Sequence, residues 1–206
     1  MANADSPFGL IPIRYVSGAP YNGAANVYSV LDTEHNLGVG SVVSLNGAGV
    51  NGVAQVQRAT VSETPANNTP IVGVIVGVVD SADGTVYREN NRYTAASTNA
   101  PGFALVADDP NLLFKMQEDS VGSTLSDASL GGHVNITFGT FDTVYGQARD
   151  EIDSSTFSAA DTQNAYNLKI LRLFQEQASN SVGANAVWEC MIVNHALRPG
   201  GRPTSA

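Results

Sequence analysis

Residues 104–120 read "ALVADDPNLLFKMQEDS" and hold two acidic pairs, Asp108-Asp109 and Glu118-Asp119, on either side of an apolar segment. Two carboxylates converging on one point are the starting material of glycosidases and of divalent-cation sites. Asp109 precedes Pro110, which pushes it toward extended backbone, so "ADDPN" predicts a turn and "LLFKMQ" the strand that follows it. At ~3.3 Å per residue that strand is about 20 Å long, which leaves the acidic pairs at its opposite ends. A carboxylate pair acting on one glycosidic bond must lie within ~5 to 10 Å. The pairs therefore do not cooperate along this strand, and the segment reads as a core strand bracketed by solvated carboxylates.

Other catalytic patterns fail on their context. "GAGVNG", residues 47–52, matches the glycine spacing of a dinucleotide-binding turn, but the strand-patterned "VAQVQRATV" follows it where a helix should open. A hairpin loop is the better reading. "GVIVG", residues 73–77, lies in an apolar run too short for a membrane span, and its glycines mark a place where another backbone comes close. His35, His133 and His195 have no metal-ligand spacing. No G-x-S-x-G element occurs. Cys190, the single cysteine, excludes an intramolecular disulfide, and His195 five residues on would point to the other face of a strand. The sequence thus predicts no catalytic residue, no metal and no cofactor, and the chain is expected not to be an enzyme.

Charge narrows the partners. The 206 residues carry 19 acidic against 10 basic side chains, a net charge of −9, and direct nucleic-acid binding needs the opposite balance. Between Asp108 and Asp153 there are nine Asp or Glu against only Lys115 and Arg149. Solvated loops are the first reading of that excess, and a face for a basic partner or for cations is the sharper one. No apolar run approaches a membrane span and the N-terminus lacks a secretory pattern, so synthesis in a cytoplasm with no membrane partner is expected.

The elements that must position any site are short β-rich runs cut by Gly, Asn and Asp: "SVVSL", "VAQVQRATV", "PIVGVIVGVVD", "TVYRENNRYTA", "GFALVA", "LLFKMQ", "HVNITF" and "FDTVY". They predict an all-β fold, an antiparallel barrel or sandwich. "DEIDSSTFSAADTQNA" reads as a long surface loop. "YNLKILRLFQEQ" fits strand and helix periods alike, with strand preferred. Residues 1–30, with Pro7, Pro12 and Pro20, read as an extended apolar N-terminal arm, 31–197 as one β domain without internal repeats, and 198–206 as a cationic tail.

Taken in order, "GLIPIRYVSGAPYNG", "GSVVSLNGAG", "VAQVQRAT", "PIVGVIVGV", "VADDPNLLFKMQED" and "AVWECMIVNHAL" resemble capsid decoration, or cement, proteins of tailed bacteriophages. The resemblance spans most of the chain and rests on strand and turn pattern. It implies a β-tulip-like core, with a jelly-roll as the alternative. It also implies a structural virion protein on the capsid surface, commonly a homotrimer, that bridges major capsid protein subunits and stabilises the shell. An apolar arm and a tail suit contact between subunits, and Phe8, Leu10, Ile11, Ile13, Tyr15, Tyr21, Tyr28, Arg198 and Arg202 are the candidate contact residues. A surface-exposed carbohydrate-binding or host-adhesion module is the alternative function.

Overall fold

The computed structural model describes residues 3–31, 36–60, 69–80, 92–93, 102–159, 166–175 and 180–198. In chain order its strands are β1 (Ile11–Tyr15), β2 (Asn26–Val30), β3 (Leu37–Gly38), β4 (Val42–Val50), β5 (Val53–Arg58), β6 (Ile71–Val79) and β7 (Arg92–Tyr93). They continue with β8 (Phe103–Ala107), β9 (Leu112–Gln117), β10 (His133–Thr137), β11 (Glu151–Ser158), β12 (Leu168–Leu173) and β13 (Val187–Ile192). The fold is all-β, as the sequence predicts, and both architectures expected of it are present. Strands β2-β5-β4-β6-β8 form a closed barrel, and β1-β9-β13-β12-β10-β11 form a six-stranded antiparallel sheet packed on it.

The two halves share one pairing pattern. In the barrel, β2 meets β5 in parallel, while β5 with β4, β4 with β6, β6 with β8 and β8 with β2 are antiparallel. Strands β9 to β13 repeat this step for step: β11 with β10, β10 with β12, β12 with β13 and β13 with β9 are antiparallel. The circuit closes through a single parallel bridge, Glu118 to Ile152. Even the closing bonds correspond, Leu31 N–H to Val56 O at 2.9 Å in one half and Asp119 N–H to Ile152 O at 3.0 Å in the other. Glu118 thus occupies the position that Val30 occupies in the first half. This repeat is in topology, and no repeat of residues announces it.

Alternation along the strands fills two cores. On β6, Val72, Ile75 and Val78 enter the barrel interior with Tyr28, Val30, Val43, Val56, Ala104 and Val106. Ile71 and Val74 point outward, into the larger core that holds Phe114, Met116, Trp188, Cys190 and Ile170. Burial on both faces is why "IVGVIVGVV" is an unbroken apolar run.

Three expectations are corrected. Residues 1–30 are not a separate arm: β1 pairs with β9, β2 is a barrel strand, and Leu10 donates to Gly40 O at 3.0 Å where Gly9 and Gly40, both at positive φ, let the two backbones cross. The polar stretch from Asp150 is not a loop throughout, because Glu151–Ser158 is β11. Its hydroxyls mislead: Thr156 Oγ1 accepts from Asn135 N at 2.8 Å and Ser155 Oγ donates to Asp153 at 2.6 Å, so polar side chains serve a sheet edge with a bulge. "FDTVY" is not a strand but a turn, in which Asp142 Oδ1 accepts from the N–H groups of Val144 and Tyr145. "GAGVNG" is a hairpin, as read, though β4 runs through its first glycines and the turn is Asn51-Gly52, both at positive φ. The segment from Tyr166 forms strand β12. His35, and all but residues 92–93 of "TVYRENNRYTA", lie outside the described residues.

Candidate functional site

The acidic pairs do flank β9 from its two ends, but they are not solvated as pairs. Asp108 is buried and accepts from Tyr28 Oη at 2.6 Å and from Asn26 Nδ2 at 3.0 and 2.9 Å. Asp109 is exposed and accepts from Asn111 N–H at 2.7 Å, the turn that the Asp-Pro pair predicts. Glu118 is fully buried, with Oε2 accepting from Leu125 N–H at 2.8 Å. Burial pushes its carboxyl above the ordinary range; the nearby Trp188 indole N–H favours the charged form without forming a bond of good geometry. Asp119 Oδ1 is held by Val121 N–H and by both donors of Ser154. Each carboxylate therefore has its own structural partner, and the pairs do not converge.

Cys190 is buried in the larger core, where burial pushes its thiol up. His195 sits beyond β13, bridged to Ile71, with Nδ1 accepting from Leu197 N–H at 3.1 Å. Among the described residues no group of three or more His, Cys, Asp or Glu could hold a metal ion, and no helix is long and apolar enough to cross a membrane.

What the strands do bring together is a cationic cleft on the outer face of the six-stranded sheet. Glu189, on β13 between the buried Trp188 and Cys190, is itself buried. Arg14 of β1 reaches it with Nη2 at 2.5 Å and Nε at 3.3 Å, and Arg172 of β12 with Nη2 at 3.0 Å and Nε at 3.1 Å. Lys115 of β9 stands opposite Glu189 in the ladder, its Nζ over the rings of Phe174 at 4.8 Å and Phe8 at 5.8 Å. Ile13, Arg14, Arg172, Phe174, Gln175 and Glu189 line a cleft of about 220 Å³.

Of the candidate contact residues Ile13 lines this cleft, and Phe8 lies near it, its ring 5.8 Å from Lys115 Nζ. Ile11 and Tyr15 lie half-buried along β1; Tyr21 is half-buried and donates from Oη to Ala24 O at 2.9 Å. Leu10 and Tyr28 are core residues of their own subunit, so their side chains are not contact groups. Arg198 donates to Pro110 O at 3.0 Å, and Arg202 lies outside the described residues. Sequence reasoning misses Arg14, Lys115, Arg172 and Glu189 as a site. The available signal was a lone charge between bulky apolar neighbours, Lys115 between Phe114 and Met116 and Glu189 between Trp188 and Cys190, which marks the open face of a one-sided sheet.

A second charged region lies beyond the C-terminal end of β9. Burial, then the like charges of Asp5, Asp119 and Asp150, push Glu151 up to about 7. A carboxyl raised in the fold contributes stability that is complete below its unfolded value, here 4.5, and lost as pH climbs through about 7. Glu151→Gln is expected to flatten part of the fall in urea midpoint between about pH 5 and about pH 8, leaving stability at the upper end no lower than wild type. A slope equal to that of wild type would count against Glu151 as the titrating group. His195 works in the other sense: burial pushes it down to about 4, so its contribution declines as pH falls from 6.5 toward that value.

Comparison with family models, with curated proteins and with solved structures gives no match.

Proposed function

We propose that this chain is a structural subunit of a virion, a decoration protein that binds the outer surface of a tailed-phage capsid and stabilises the shell by bridging major capsid protein subunits, as a homotrimer. The observation that carries this reading is the cationic face of the six-stranded sheet, where β1, half-buried throughout, lays Ile13 and Arg14 beside the cleft and leads back to Phe8 near Lys115. Surfaces that combine Arg with aromatic side chains are enriched where one protein meets another. The strand-pattern resemblance adds to it, and the acidic net charge suits a shell exterior that does not touch nucleic acid.

The test is co-sedimentation of the purified, folded protein with intact tailed-phage capsids that lack it, followed by heating of the decorated particles. Binding together with a raised particle melting temperature is the expected result. A well-folded protein that ignores capsids but is retained on a glycan array would replace this reading with carbohydrate recognition. Deleting residues 1–28 does not isolate the contact, since it removes β1 and most of β2 and is expected to unfold the barrel. Ile13→Asp with Phe8→Ala is the finer probe, and unchanged capsid binding in that variant would exclude this face.

A further inference from the structure

The cluster at Glu189 holds more cations than its own chain neutralises. One buried carboxylate faces Arg14, Arg172 and Lys115. Each guanidinium engages Glu189 through Nε and Nη2, and among the described residues neither Nη1 has a hydrogen-bond partner. The Arg14 and Arg172 side chains are still 30% and 57% exposed, and both line the cleft with Ile13 and Phe174. Paired guanidinium forks over an apolar floor suit a carboxylate carried on a protein surface. A polyanion such as nucleic acid is disfavoured by the net charge of −9.

The same subunit offers the complement. Asp119, whose N–H donates to Ile152 O at 3.0 Å, lies beside Glu151, and Asp5 precedes Ser6, whose N–H donates to Gln117 Oε1 at 2.9 Å; among the described residues no Lys or Arg forms an ion pair with any of the three. Burial first, and then the like charges of Asp5, Asp119 and Asp150, raise Glu151. Arg14 pairs with Leu113 near the start of β9, while Asp119 lies just past its end, six residues on and therefore ~20 Å away along the strand. At that distance screening separates the two regions within one molecule. Between copies nothing separates them.

We infer that the Arg14–Arg172 cleft is a docking site for the Asp119–Glu151 surface of a second copy of this chain, so that subunits associate head to tail. Such a contact joins two different patches and closes into a ring when the rotation allows, which is the interface type a cyclic trimer requires. The inference rests on the shell-subunit reading for the size of that ring, whereas the contact itself is measured without any capsid.

Sedimentation velocity of the full chain at ~50 mM and ~500 mM salt should show association that weakens at the higher salt. Arg172→Glu and Glu151→Lys should each weaken self-association at least ~10-fold, with Arg172→Gln as the milder variant that adds no charge beside Glu189. Mixing Arg172→Glu with Glu151→Lys is the decisive arm. Each variant keeps the patch that the other has lost, so the mixture should form at least a heterodimer where each variant alone stays monomeric. A wild-type monomer at every concentration in low salt, wild-type association in folded Arg172→Glu, or a mixture that stays monomeric would each overturn the proposal. Failure to bind capsids, with the heterodimer still formed, would instead count against the proposed function alone.

Discussion

Replacing Arg58 by methionine is expected to destabilise the protein by about 3–5 kcal/mol near pH 8 and by clearly less near pH 5. Arg58, on barrel strand β5, donates to Asp150 at 2.6 Å and to Gly139 O at 3.2 Å, and its guanidinium lies 4.8 Å from the centre of the Phe138 ring. Asp150 immediately precedes β11 in the other half and has no exposed surface. The pair therefore ties the barrel to the sheet. Removing the cation leaves a buried carboxylate whose charge has no counter-ion, the costly half of breaking an ion pair.

The pH dependence follows from the sign of the shift. Burial already pushes Asp150 up to about 6 against the pull of Arg58, and without Arg58 it rises further. Below its folded value the acid protonates and the penalty is relieved; above it the charge is trapped. Urea denaturation of the variant near pH 5 and near pH 8 separates this from a packing defect. Equal losses at both would mean that Asp150 bears no unpaired charge in the variant. The double variant Arg58→Met, Asp150→Leu should recover most of the stability, because an apolar pair of similar volume needs no counter-charge.

The second large effect is expected at a glycine. Gly73 of β6 lies against β8 so closely that an added Cβ would overlap the Ala107 carbonyl oxygen and come within 2.9 Å of Val106 Cγ1. The obstacle is backbone, which cannot rotate away, so Gly73→Ala must push β6 and β8 apart along Val74 to Val79. A loss of about 3 kcal/mol or more is expected, comparable with overpacking a core. Gly77, four residues on, is the control: its Cβ would meet only the Leu105 side chain, with Cδ1 nearest at 3.4 Å, and that side chain can turn. Gly77→Ala should therefore change stability by less than about 1 kcal/mol. If the two variants unfold at the same urea concentration, close backbone approach is not what fixes glycine at position 73.

The close approach at Gly73 was legible because a missing side chain shows in the sequence even where the backbone it admits, Ala107 of β8, does not; "LLFKMQ", "GFALVA" and "HVNITF" were legible because their apolar and β-branched residues leave few alternatives to a strand. β11 was not legible: Asp153, Ser154, Ser155 and Thr156 have turn-forming side chains, and only pairing with β10 holds them extended. Prolines at 7, 12 and 20 argued for an extended arm and against a central strand, yet Pro12 falls where β1 shifts register against β9, a position that tolerates a missing donor. Buried carboxylates were also hidden, since composition cannot say that Asp108 meets Tyr28 and Asn26 from a strand some eighty residues earlier. The cationic cleft draws Arg14, Lys115, Arg172 and Glu189 from four strands and is a product of sheet order. Sheet order is set by long-range pairing, which no short window of sequence contains.

The repeated pairing pattern bears on assembly. A chain built from two circuits of the same topology is already a pseudo-dimer, and three copies around an axis would bring six such units together. In the proposed trimer six circuits of one topology would surround the axis while the chemistry repeats only threefold. The two circuits are free to differ: one closes over Val30 and the other over Glu118, and only the second bears the Arg14–Arg172 cleft. A ring of this kind can match a hexagonal lattice in shape and still address alternate positions of it with different charge.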